Sequence, residues 1–484
     1  MKQSYKPLAV AVMLALSSPV AIASVGPNQL PGDGTVATPN ASASLSIVSS
    51  SGVSVGTLTV TATTAGAPVV INWGSTSSSS LINSGTPGFN IGTQASLNIA
   101  DGATAPGSVL NLDSSGNPSQ ILGTLSAPSS VGVFVANENG IIVGSTATID
   151  VPGALALVAG SISSTTTSFQ ILESAATAGA IVSIASGVNW SGTNELLVGA
   201  NTVNIGSIPG TEATTYVVSG YDFTTDGSPE GTTFTNSSTA ATVTLAGNLG
   251  NDASLGSSNY SYLNVTDAGS LIVSTGANVT LSPSTLANSS SGTFSALNSV
   301  GYNLTVNGSL SNPADGVLSL GTSPVITGTG TFSNYGTLSV GDPNLSIGVT
   351  NINLLGSVVA PSANGFNTVV IGSGTSAGIT YVNTALTANN ALTIQGGGVH
   401  VGSNSSLTAP NLTFSAGTTT VGSISVGTNG TISMPVSLLL NGGVYDAFGS
   451  GSSEGTIAAT AGSGIEIDWA NYFDWTSNAL NLTS

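Results

Sequence analysis

The chain has 484 residues, and 77 Ser, 60 Thr, 63 Gly and 41 Asn make up about half of it. Charged residues are 5% and hydrophobic residues 40%, against about 25% charged in an ordinary soluble domain. That balance excludes a solvated disordered polymer. The scarcity of Glu, Lys, Arg and Gln also excludes helical bundles and ordinary α/β domains. Lys2 and Lys6 are the only basic residues, and the net charge is −18. Without further cations there is no surface for nucleic acid, no polybasic membrane patch and no metal-free phosphate site.

Residues 1–23 read as a secretory signal. Lys2 and Lys6 form its positive start, Leu8 to Leu16 its apolar core, and Ala21-Ile22-Ala23 its cleavage site before Ser24. The apolar run is shorter than the roughly 20 residues of a membrane span. The chain has no cysteine, although exported proteins often use disulfides.

Beyond the signal, apolar and small polar residues alternate in short runs. Val53-Ser54-Val55, Leu58-Thr59-Val60-Thr61, Leu304-Thr305-Val306, Leu338-Ser339-Val340 and Ile424-Ser425-Val426 are examples. Period-two alternation predicts strands with one buried and one wet face. Turn signals follow closely, as in Asn307-Gly308, Gly341-Asp342 and Asn429-Gly430. The units recur about 20 or more residues apart, which favours a β-solenoid over tandem sandwich domains. In a solenoid, Val, Ile and Leu stack inward, Ser and Thr point out, and Gly, Asn and Asp make the corners.

No Asp, Glu, Lys or Arg occurs from Pro343 to Tyr445, so this stretch reads as a repetitive shaft. Ile465 to Trp475 is richer in Trp and acids and reads as a cap or an anchor. The expected divisions are 1–23 signal peptide, 24–200 N-terminal domain, 201–464 shaft and 465–484 C-terminal cap or anchor segment.

Catalytic readings are weak. Gly374 to Gly378 and Gly451 to Gly455 fit Gly-x-Ser-x-Gly, but such a composition produces the pattern by chance and no strand–elbow–helix context surrounds it. The single histidine, His400, reads as a rung position. Asp222, Asp226 and Glu230 are the densest acids and read as a solvated loop rather than a cation site or a catalytic pair. No catalytic residue, metal ligand or cofactor is expected, so the chain reads as a non-enzyme.

One region carries an ordered set of motifs. Leu30-Pro31-Gly32 comes first, then Asn72-Trp73, Phe89-Asn90-Ile91-Gly92, and Gly116-Asn117-Pro118-Ser119-Gln120-Ile121-Leu122-Gly123. Val133 to Gly144 and Ile149 to Leu155 follow. The region resembles the N-terminal secretion and haemagglutination-activity domain of filamentous haemagglutinin-like exoproteins of two-partner secretion systems. The resemblance implies an all-β fold, a right-handed parallel β-helix (β-solenoid). It also implies recognition in the periplasm by an outer-membrane transporter with periplasmic domains. The recognition and turn motifs of that family fall on Asn117-Pro118 and on Asn137, Asn139 and Gly140. Glu138 stands where the family's second motif has proline, so that turn loses a locked φ angle. Apart from the resemblance, these asparagines read as builders of tight corners.

The functional expectation is a secreted or surface-exposed adhesin of a Gram-negative bacterium, exported through the periplasm. Glycans or other cells would be its targets. The alternative is a structural biofilm or matrix fibre built by self-association, and a β-helical polysaccharide-active enzyme is the remote third reading.

Overall fold

The computed structural model describes residues 24–74, 81–164, 169–210, 213–225, 233–238, 240–250, 262–281, 298–373, 378–401 and 406–409, and beyond these the strands between Asn411 and Leu482. The signal-like residues 1–23, Asp226, Glu230, the segment Gly451 to Gly455 and all of Gly374 to Gly378 but its last glycine lie outside the described residues.

The fold is a parallel β-helix. One rung runs through Ala95–Asp101, Ser108–Asp113 and Ser119–Ile121. The next runs through Thr124–Ser126, Gly132–Asn137 and Ile141–Val143, each strand lying parallel on its predecessor. Uninterrupted rungs repeat every roughly 20 to 24 residues, as in Val109↔Val133, Val133↔Leu155 and Leu318↔Leu338. This is the spacing expected from the alternating runs. Later rungs merge faces into longer strands, Val325–Asn334, Asn344–Leu354 and Ala385–Gly396, each carrying two successive ladders. The ladder continues through Gly464–Asp468 and Tyr472–Asp474, inside the Trp-rich segment, to Asn481–Leu482. His400 pairs in register with Tyr381 and Ser425, a rung position.

Inward columns explain the alternation. Val69, Val109, Val133, Leu155 and Leu196 stack in register, and all are fully buried. Each such side chain removed from water contributes about 1.5–3 kcal/mol. Trp73 is the largest fully buried side chain and meets Phe89 edge-to-face with centroids 5.9 Å apart.

Not every outward position is polar. Leu110, Phe134, Ala156 and Val158 face outward from the helix yet are buried. Two hairpins cover them: Ser161–Ser164 with Phe169–Leu172, and Tyr221–Thr225 with Thr233–Ser237. The four strands form one antiparallel sheet outside the helix. Phe169 stacks on Phe134 at 4.5 Å, while Ile171 and Phe223 complete a second core. The continuous apolar runs Val133 to Ala136 and Ala154 to Ala159 record this double burial.

Three carboxylates sit under this sheet. Glu173 follows the first hairpin and is 1% exposed, and its Oε2 accepts the Gly220 N–H at 2.8 Å. Asp222 accepts from the Ser174 N–H at 2.8 Å and the Ser174 hydroxyl at 2.6 Å. The two bonds tie the hairpins together. Asp222 is therefore no part of a solvated loop: it lies in strand Tyr221–Thr225 and is 4% exposed. Its hydroxyl and amide donors compensate the burial that a loop reading overlooks. Asp267, also buried, accepts the Gly269 N–H at 3.0 Å.

Asparagine does similar work in the shaft. Asn312 and Asn334 are neighbours in register and both fully buried, and the Asn312 amide donates to Asn334 Oδ1 at 2.7 Å. A fold held by apolar stacking and such ladders, with no Lys or Arg beyond Lys6, offers no Lys or Arg ion pairs for salt to weaken. Its melting temperature should therefore not fall between low salt and about 1 M NaCl. Trypsin should leave the chain uncut beyond Lys6 even in urea, and mass spectrometry of the digest checks this.

Candidate functional site: the asparagine corner

The motif residues come together where consecutive strands end on one corner of the helix. Trp73, Asp113 and Asn137 lie above one another in register at the ends of Pro68–Trp73, Ser108–Asp113 and Gly132–Asn137. Strand pairing alone cannot satisfy the chain there, because it must turn sharply onto the next face. Side chains supply the missing partners.

Asn137 is the hub and is 1% exposed. Its Oδ1 accepts the Asn139 N–H at 2.8 Å, which closes an Asx-turn. The Gly140 N–H donates to the Asn137 carbonyl at 3.0 Å and completes the turn. The Asn137 amide donates to the Asn117 carbonyl at 2.8 Å and to the Ser119 hydroxyl at 3.0 Å. Ser119 in turn donates to Asp113 Oδ2 at 2.6 Å. Asp113 also accepts the N–H groups of Phe89 at 2.8 Å and Ser115 at 2.9 Å. One rung below, the Trp73 indole donates to Asn111 Oδ1 at 3.0 Å. The chain of bonds from Phe89 through Asp113 and Ser119 to Asn137 is continuous, and the Trp73–Asn111 bond lies beside it as a separate pair.

Gly140 has φ +103, and a Cβ there would lie 2.6 Å from the Ile181 carbonyl oxygen. Both the conformation and the close approach demand glycine. Asn139 is tied as well: its amide donates to Asn137 Oδ1 at 3.3 Å, and its Oδ1 accepts the Thr177 hydroxyl at 3.3 Å. Glu138 is exposed, and its carbonyl accepts the Thr177 N–H at 2.6 Å. That bond braces the turn where proline is absent.

Asn117 differs. It is exposed, contributes its backbone carbonyl to Asn137, and has no partner for its side-chain amide among the described residues. Pro118 is half-buried and restricts Asn117 to extended geometry. Beside this corner opens a cleft of about 380 Å³, lined by Asn72, Asp113, Glu138, Asn139 and Gly160. Amides, serine hydroxyls and two carboxylates line it beside the apolar Leu112 and Ala136, with no cation, so it suits a partner that brings donors or positive charge. Among the described residues no group of three or more acids and histidines is placed to hold a metal ion.

Asp113 and Asn111 were not singled out from the sequence. Their signal is polar residues at the inward positions of an alternating strand, Val109-Leu110-Asn111-Leu112-Asp113, where apolar residues are expected.

The family model described as the TPS secretion domain matches residues 49–264. Among solved structures, the chain is similar to the HMW1 secretion domain from Haemophilus influenzae, with 14% identity and a TM-score of 0.33. That likeness covers 92% of this chain and 100% of the other. No curated protein matches the chain. It is the family match, spanning the asparagine corner and the extra sheet, that identifies the region: residues 49–264 are a TPS secretion domain, the N-terminal domain of a two-partner secretion exoprotein.

Proposed function

We propose that the chain is a non-enzymatic adhesin, exported across the periplasm by the transporter partner of its TPS domain and displayed on or released from a Gram-negative cell. Residues 1–23 serve as its signal peptide, and residues beyond the TPS domain form the shaft. The single observation that carries the recognition role is the split within the asparagine corner. Asn137, Asn139 and Gly140 are consumed by the turn, whereas the Asn117 amide, held on the surface by Pro118, has no partner among the described residues. The transporter's periplasmic domains bind there. The non-enzymatic reading is supported by Asp113 and Asp222, whose carboxylates are occupied in structural hydrogen bonds. Repeated outward Ser, Thr and Asn along the shaft favour weak multivalent contact with glycans or other cells.

Asn117→Ala tests the recognition role. The amide is exposed and unpaired, so the melting temperature should stay within about 0.5 kcal/mol equivalent of wild type. One lost interfacial hydrogen bond of roughly 1–1.5 kcal/mol should lower export about ten-fold. Blots of cell fractions and medium measure this, and wild-type export would refute a recognition role for Asn117.

A further inference from the structure

We infer that the outer edge of strand Ser42–Ser50 is a self-association surface, pairing antiparallel about a two-fold axis with the same strand of a second copy. This strand forms a hairpin with Val53–Thr61, with Ser42↔Thr61 through Ser50↔Val53 in unbroken register. The turn is Ser51-Gly52, with φ +52 and +81, the positive pair of a two-residue type I′ hairpin. Such a turn makes Ser50–Val53 a hydrogen-bonded pair, and bonding then alternates along the strand. Ala43, Leu45, Ile47 and Ser49 therefore direct their N–H and C=O groups away from the hairpin partner. Ser54, opposite Ser49, confirms this phase, because its N–H bonds to Gln94 on the far side at 3.0 Å. Among the described residues nothing pairs with the other edge of Ser42–Ser50, which ends its six-stranded sheet.

Soluble proteins usually blunt such an edge with lysine, proline, a bulge or a short strand. This one is nine residues long, without a bulge, proline or charge. It also presents apolar groups: Ile47 is 43% and Val48 64% exposed, and Val53 and Val55 of the hairpin partner are exposed as well.

The charge distribution selects the occupant. From Gly34 to Ala100 there is no ionisable residue, in a chain of net charge −18. A charged partner strand would lose hydration here and gain no counter-charge. A second copy brings an equally neutral strand. Centred on Ser46, two copies oppose Leu45 to Ile47 and Ala43 to Ser49, so outward-directed backbone groups meet outward-directed groups and every side chain keeps its face. The rest of the molecule opposes this approach at pH 7, since two copies repel each other without any basic patch to offset the acids. Acid or salt removes that repulsion. The inference stands apart from the export reading, because it concerns a different face of the molecule.

Sedimentation velocity of the secreted chain over a concentration series tests it at pH 7 in low salt, at pH 7 in about 0.5 M NaCl, and at pH 4. The expected result is a monomer in the first condition and a dimer in the other two. Ile47→Pro deletes one outward N–H without touching the bonds to Val53–Thr61, and should weaken dimerisation at least ten-fold. Ser46→Lys sets two like charges face to face on the axis and should do the same with the backbone unchanged, which keeps the test valid if the proline variant misfolds. A wild type that stays monomeric in all three conditions overturns the inference. So does a dimer that withstands Ser46→Lys, or an edge occupied only by a transporter domain.

Discussion

Between pH 7 and pH 4 the protein should gain stability, whereas an ordinary protein loses it in acid. The cause lies beneath the extra sheet. Burial pushes the Asp267 carboxyl up to about 6, partly offset by the Gly269 N–H and the Ser219 hydroxyl. Glu173 is raised well above the usual carboxylate range, first by burial and further by the charges of Asp222 and Asp267, against the Gly220 and Tyr221 N–H groups. Glu195 is raised by burial too. In each case the folded state holds its proton more tightly than the unfolded chain. The associated stability is complete below the unfolded value near 4 and is lost as the pH rises through the folded value. For Asp267 the window is about pH 4 to 6, and a shift of roughly two units corresponds to about 3 kcal/mol. Asp342 works in the opposite sense, lowered chiefly by the Asn344 N–H, but it is solvent-exposed and its share is small. Tyr221, pushed up to about 12 by burial, stays neutral throughout. Meanwhile net charge falls toward zero, because no Lys or Arg follows Lys6, so acid removes self-repulsion rather than creating it. Urea melts followed by circular dichroism from pH 8 to pH 3 measure the effect. Asp267→Asn should flatten the curve between pH 4 and 6 and keep the acid-side stability. A steady decline from pH 7 to pH 4 in the wild type would contradict the assignment.

The helix itself was legible because its signal is dense. Alternation such as Leu338-Ser339-Val340 returns at Val358 one rung later, and inward columns demand that recurrence. The corner residues Asn117, Pro118, Asn137, Asn139 and Gly140 were legible through their motifs. What the motifs could not divide is role: only geometry separates the buried hub Asn137 from the exposed amide of Asn117. The four-stranded sheet was missed because outward Phe134 and Val158 sit beside inward neighbours in short apolar runs, and such runs do not say what covers them. Asp222 was misread for a related reason. Acid and threonine resemble a loop until Ser174, 48 residues away in sequence, supplies the donors.

Asn137→Ala should unfasten the corner. The substitution leaves the Asn139 N–H without its acceptor and removes the donor to the Ser119 hydroxyl and the Asn117 carbonyl, in a buried to part-buried setting. The cost is on the order of 3 kcal/mol. Export should fall with stability, unlike Asn117→Ala, where export alone falls. Asn137→Asp separates the two halves of the amide's work. Its carboxylate keeps the acceptor for the Asn139 N–H, so the Asx-turn can close. It replaces the donor, however, with a second negative charge directly in register with Asp113, and no cation lies nearby to share. At pH 7 this variant should be at least as unstable as Asn137→Ala. A second carboxyl beside Asp113 holds its proton more tightly than a free one, so in acid the substituted carboxyl at 137 is protonated and again offers a donor to the Ser119 hydroxyl. The variant should then recover to within about 1–2 kcal/mol of wild type, the scale of one remaining unmade hydrogen bond. Thermal melts at pH 7 and pH 4, with amide exchange at Asn139, distinguish the cases. Equal destabilisation at both pH values would show that Asn137 serves the corner by its shape alone and not by the donor it offers to Ser119 and Asn117.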